Sequence, residues 1–244
     1  MTSPSPSEPR THSLYHAPLA IAGVAIAVVY AGQLVLAAAG APALVAAAVG
    51  YVAAIGFAAI AARFDHHLLG ARAARPRHFA AAILVGIALW YPMLVVVSAL
   101  VPSPDLKPLE HVVTRGPAAA TLVAIAVLPA ICEEIIFRGL GARALARRIH
   151  PAAAVVVSAA AFALYHLQPV QMIATFVLGL ALGFIAVRAD SALPTMCAHA
   201  ANNTIAIALV RDPDSAAAAW LGAHPVPALA TSLVLVACGL VLAV

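Results

Sequence analysis

The chain has 244 residues, 64% hydrophobic and 9% charged, with a mean hydropathy of +1.03. Soluble domains carry about 25% charged residues, so this composition excludes a soluble domain and indicates an integral membrane protein. At about 20 residues per span, the length admits seven or eight helices and leaves no room for a sizeable soluble domain. The net charge of +4 does not argue for nucleic acid. The basic residues sit in short loops between apolar runs, which is the positive-inside pattern.

Residues 1–16 are rich in Ser and Pro, with Pro4, Pro6 and Pro9, and read as a disordered tail without an evident cleavable signal peptide. Residues 17–244 read as a single membrane domain. Apolar runs follow at about Ala17–Ala39, Ala41–Ala62, Phe79–Val101, Pro117–Ile131 and onward, Ala152–Leu167, Val170–Val187, Leu193–Val210 and Val226–Val244. Their lengths predict an all-α polytopic bundle of about eight transmembrane helices. Pro42 falls at the start of the second run, where proline is tolerated. Cys132, Cys197 and Cys238 lie inside apolar segments without CxxC or zinc-finger spacing, and are expected as buried free thiols.

Arginine and lysine set the expected orientation. Arg63, Arg72, Arg75 and Arg77 fill one loop, Arg138, Arg143, Arg147 and Arg148 another, and Arg188 a third; Arg10 is in the tail. Only Lys107, Arg115 and Arg211 fall on the other side. Cytoplasmic N- and C-termini satisfy this asymmetry in a multi-pass protein of the cell membrane. His66, His67 and His78 are expected at headgroups or in solvent, and Gly179-x-x-x-Gly183 as a close helix contact. Asp105, Glu110, Asp212 and Asp214 belong to the outer loops and receive no role.

Three polar patches interrupt the spans. The first is Glu133-Glu134-Ile-Ile-Phe137-Arg138, the second Phe162-Ala-Leu-Tyr-His166, and the third His199-Ala-Ala-Asn202-Asn203. A charge in the bilayer costs roughly 2.5–3.5 kcal/mol on insertion scales, so it persists mainly where pairing or function requires it. Helix geometry separates the two glutamates. Glu134 can reach Arg138 as an i, i+4 ion pair, while Glu133 points about 100° away and stays free for chemistry. Phe137 shares the face of Glu133 and is expected to wall the site.

His199 and Asn203 are four apart, as are Phe162 and His166, so each pair can point into one cavity within the membrane. A free carboxylate, two imidazoles and an amide in a partly dry cavity suit hydrolysis. Glu133 with His166 can orient and deprotonate a water. His199 and Asn203 can donate to the oxyanion of an acyl-transfer intermediate. No GxSxG or activated Ser or Cys appears, so attack by water is favoured over covalent catalysis. One geometric condition attaches to this constellation. The fourth helix must run on through Arg138 toward Arg148, and the fifth must stop at Pro169 inside the membrane, for Glu133 and His166 to share a depth. Non-helical backbone there is allowed where it lines a cavity.

Glu133-Glu134-x-x-x-Arg138, Phe162-x-x-x-His166 and His199-x-x-x-Asn203, in that order between Pro117 and Val210, resemble the CPBP intramembrane proteases, also called the CAAX protease and bacteriocin-processing (Abi) family. The resemblance implies endopeptidase cleavage near the C-terminus of a lipid-modified or membrane-tethered protein. It implies Glu133 as the water-activating residue beside His166, His199 and Asn203 completing the site, and Glu134 and Arg138 in support. Zinc held by Glu133, His166 and His199 is an alternative; the metal-free route is preferred because no HExxH is present. A proton-coupled transporter and a non-catalytic immunity or scaffold protein are the other classes, the former disfavoured by the lack of an inverted repeat.

Overall fold

A computed structural model describes residues 17–101 and 107–244, so the tail expected at 1–16 lies outside the described residues. All eight apolar runs form helices, and no strand occurs among the described residues. They are α1 (Ala17–Ala38), α2 (Ala43–Ala61), α3 (Pro76–Leu100), α4 (Lys107–Arg115), α5 (Ala118–Ala146), α6 (Pro151–Tyr165), α7 (Pro169–Ala189), α8 (Leu193–Arg211), α9 (Ala216–Ala223) and α10 (Pro225–Leu242). Helices α4 and α9 are the short additions. Among the described residues six helices are long and apolar enough to cross a membrane: α1, α2, α3, α5, α7 and α10. Helix α6 is apolar but has 15 residues, and α8 has the length but is interrupted by His199, Asn202 and Asn203.

Helix α5 is central and packs against α1, α2, α6, α7 and α8, while α3 is sandwiched with α8 and α10. Its core stripe of Cys132, Ile135, Ile136, Phe137 and Leu140 meets Ala22, Ala25 and Val29 of α1, Ala54 and Ala58 of α2, and Phe162 of α6. Lipid tails are as apolar as leucine, so helices associate through close van der Waals fit, which small residues allow. Gly179 and Gly183 show this: a Cβ on either would stand 3.0 and 3.1 Å from Ala159 and Val155 of α6. Gly86 is tighter still, because a Cβ there would lie 2.4 Å from the Ala198 carbonyl oxygen of α8.

Prolines and local hydrogen bonding shape two helices. Helix α3 breaks at Leu89, three residues before Pro92, whose missing N–H leaves Ala88 O without its helical donor. Helix α5 is not uniform: Leu122–Val127 and Glu134–Ala142 are π-helical and flank an α-helical stretch, Leu128–Glu133, that contains Pro129. Wide turns of this kind recur at functional sites.

Three connections gather at one end of the bundle. The exposed Asp190 carboxylate accepts from Arg143 Nε at 2.9 Å and pairs with Arg72, with Arg147 Nη2 3.9 Å away. Arg143 Nη1 also donates to His67 O at 3.1 Å, and the Ala192 N–H donates to Gly70 O at 2.8 Å. The left-handed Gly70 (φ 82°) lets the 62–75 segment fold down onto α5, where a Cβ on Gly139 would stand 2.3 Å from Leu69 O. In that segment the Leu68 and His67 N–H groups bond the Asp65 carboxylate and hold it below the ordinary carboxylate range. The loops with the most arginines therefore share one end, as the charge count requires.

Two expectations are corrected. His78 is buried in the first turn of α3, although His66 and His67 are exposed. Cys197 and Cys238 are exposed and only Cys132 is buried; all three are free. An apolar segment says that a helix is in lipid, not which of its faces points inward.

Candidate active site

Glu133, His166, His199 and Asn203 line one cavity of about 520 Å³, together with Tyr51 of α2 and residues of α3, α7 and α8. The shared depth of Glu133 and His166 follows from helix lengths. Helix α5 continues to Ala146, 13 residues beyond Glu133, and α6 starts at Pro151, 15 residues before His166. At about 1.5 Å per residue, both side chains lie roughly 20 Å from the link that joins the two helices. Helix α6 ends at Tyr165, and His166-Leu167-Gln168 forms a non-helical connection before Pro169 opens α7.

The two glutamates have different surroundings although both are buried. Glu134 Oε1 stands 2.8 Å from Arg138 Nη1 and 3.0 Å from His199 Nδ1. Arg138 is fully buried, and its guanidinium lies over the Phe162 ring at 4.3 Å. The opposite charge of Glu134 and the ring face hold this cation, not aligned hydrogen bonds. Glu133 takes another partner: the Tyr51 hydroxyl donates to its Oε1 at 3.1 Å. Its Oε2 stands 3.8 Å from His199 Nε2.

Both imidazoles are oriented through Nδ1. An ionised Glu134 only accepts, so His199 Nδ1 carries the proton that it shares with Oε1. His166 Nδ1 donates to Phe162 O at 2.9 Å, the carbonyl freed because the His166 backbone N–H turns to Ala163 O at the helix end. Nε2 is left on each ring for chemistry. Phe162 meets both rings edge to face, at 4.9 Å for His166 and 5.7 Å for His199. It positions them from the core and does not line the cavity.

Asn203 is placed by a proline. Pro129 has no N–H to give to Ile125 O, four residues back, and Asn203 Nδ2 donates there at 3.3 Å. An amide nitrogen carries two hydrogens, so one remains for another acceptor. Its neighbour Asn202 is buried and donates to Gly86 O at 3.2 Å, fastening α8 to α3.

Two corrections to the sequence reading concern these side chains. Phe137 does not wall the cavity. It packs in the core with Phe162 and Tyr165, at ring distances of 5.1 and 5.4 Å, because α5 presents that side to α6. Glu134 does more than hold Arg138, since it also orients His199. Sequence reasoning missed Tyr51, and a signal existed: it is the single polar side chain in α2. Among the described residues no group of three or more His, Cys, Asp or Glu side chains is arranged to hold a metal ion.

Residues 115–205 match the family model described as Type II CAAX prenyl endopeptidase Rce1-like, a stretch that includes all three motifs. No curated protein and no solved structure matches the chain.

Proposed function

We propose that this multi-pass membrane protein, which over residues 115–205 is a CPBP family intramembrane protease, hydrolyses a peptide bond of a membrane-tethered, CAAX-type protein with water activated by Glu133. The family itself is one of CAAX-type intramembrane endopeptidases. The observation that carries the reading is the convergence of Glu133, His166, His199 and Asn203 on one cavity, with Glu133 Oε2 turned toward His199.

In this reading Glu133 Oε2, the oxygen that Tyr51 does not occupy, accepts a proton from water as the water oxygen bonds to the scissile carbonyl carbon. His166 Nε2 accepts the second hydrogen bond of that water and aligns it. The oxyanion formed on the carbonyl oxygen takes the spare Asn203 Nδ2 hydrogen, and Nε2–H of His199 when its ring is protonated. Glu134 fixes the orientation of that ring by accepting from Nδ1. The proton held by Glu133 then passes to the leaving amine nitrogen as the C–N bond breaks. One carboxylic acid and one amine result, with no net proton change at the site.

No step here requires a metal. The test is cleavage of a prenylated peptide ending in a CAAX-type sequence by the purified protein in lipid nanodiscs, repeated after exhaustive chelation. Cleavage that survives chelation and vanishes in Glu133→Gln supports the reading. Loss on chelation with rescue by zinc alone would replace the metal-free route with the zinc one. Proton flux in liposomes without hydrolysis of any substrate would replace the protease with a transporter. The arginine-rich end is assigned to the cytoplasm by the charge asymmetry, and thiol labelling of single cysteines in intact cells checks this.

A further inference from the structure

Two uncharged amides line the same cavity and have no part in the chemistry above: Gln33 of α1 and Gln171 in the first turn of α7. Gln33 lies across Gly50, where a Cβ would stand 2.9 Å from its Cγ, so the missing side chain at 50 makes room for it beside Tyr51. Gln171 follows His166 by five residues, across the non-helical connection. Among the described residues neither side-chain amide makes a hydrogen bond. The main-chain carbonyl of Gln171 is engaged by Thr175 Oγ1 at 2.7 Å, which leaves the side chain independent of it.

A peptide that reaches Glu133 must bring its own N–H and C=O groups into a cavity whose remaining walls are largely Ala, Val, Leu, Ile and Met. An unpaired peptide group in such surroundings costs at least about 1–3 kcal/mol. Many proteases hold an extended substrate by adding it to a strand edge. This fold has no strand among the described residues, and its helices consume their own backbone groups. Side-chain amides are the remaining device. A glutamine head presents a carbonyl acceptor and an NH2 donor, so it can pair with both the N–H and the C=O of a peptide group, and it carries no charge to desolvate.

We infer that Gln33 and Gln171 bind the main chain of an extended substrate on the two sides of the scissile bond, Gln33 on the side of Tyr51 and Gln171 on the side of His166. This rests on the endopeptidase reading for its biological sense but is tested by binding. The probe is a farnesylated peptide with a CAAX-type C-terminus, titrated onto Glu133→Gln protein in nanodiscs so that nothing is cleaved. Adding Gln33→Leu or Gln171→Leu, each close in volume, weakens Kd about five- to tenfold, the worth of one hydrogen bond. Methylating single main-chain nitrogens of the peptide weakens binding at one position for each glutamine, and that penalty disappears in the matching leucine variant. Unchanged Kd in both leucine variants, or a methylation penalty indifferent to them, overturns the inference while leaving the protease intact. A peptide bound in this glutamine-dependent way but never cleaved by the unmutated protein overturns the protease and leaves the inference standing. Circular dichroism of the leucine variants guards against misfolding, and Gln33→Asn, too short to reach, serves as the second variant for a site that does not fold as leucine.

Discussion

Asn203 Nδ2 donates at 3.3 Å to Ile125 O, a carbonyl to which Pro129, four residues on, has no N–H to give. A carbonyl of α5 thus becomes the anchor for an amide of α8. Pro129→Ala returns an N–H to compete for that carbonyl and releases Asn203. Thermal unfolding of this variant is expected at the same or a higher temperature, since proline is removed from a helix. Its turnover of a prenylated peptide falls about two- to tenfold, the range of one hydrogen bond. Activity unchanged alongside loss in Asn203→Ala would show that the anchor is dispensable.

The adjacent glutamates separate by phenotype. Glu133→Gln keeps an acceptor for Tyr51 and leaves the Glu134–Arg138 pair intact, so it leaves unfolding unchanged while kcat falls by roughly a thousandfold, the scale of general base catalysis. Glu134→Gln strips Arg138 of its counter-charge in a fully buried setting. Stranding one partner of a buried pair costs about 3–5 kcal/mol, so this variant loses stability first and activity with it. Denaturant titration beside kinetics distinguishes the two. Equal stability losses would contradict the division of labour.

Tyr51→Phe removes the donor to Glu133 Oε1 and keeps the ring. That hydrogen bond fixes how the carboxylate is turned, and without it Oε2 is no longer held toward the water. The expected outcome is a kcat lower by about tenfold at unchanged thermal unfolding, the worth of one hydrogen bond. A kcat equal to that of the unmutated protein would mean that Tyr51 contributes packing alone.

How much of this was readable in advance varies with the range of the interaction. The helices follow from apolar runs, and the Glu134–Arg138 contact from a spacing of four, since both are local. The shared depth of Glu133 and His166 enters the sequence reading only as a condition that the chemistry imposes, because a simple antiparallel pair of spans would put them at opposite ends. The Tyr51–Glu133, Asn202–Gly86 and Asn203–Ile125 bonds join different helices and depend on which faces meet, a matter of packing that no single-helix period encodes. The π-helical turns of α5 have no sequence period of their own. Phe137 is in the core with Phe162 because a spacing of four says which residues share a face, not which neighbouring helix that face meets.

Asp190 lies nine residues before His199, and its partner Arg143 lies nine residues after Glu134. The two contacts, Arg143 to Asp190 at 2.7 Å and Glu134 to His199 at 3.0 Å, join the same pair of chain segments at two heights. One tie joins α5 to the turn that leads into α8 and the other joins α5 to α8 itself, so the entry of α8 and its imidazole are each referenced to the same helix.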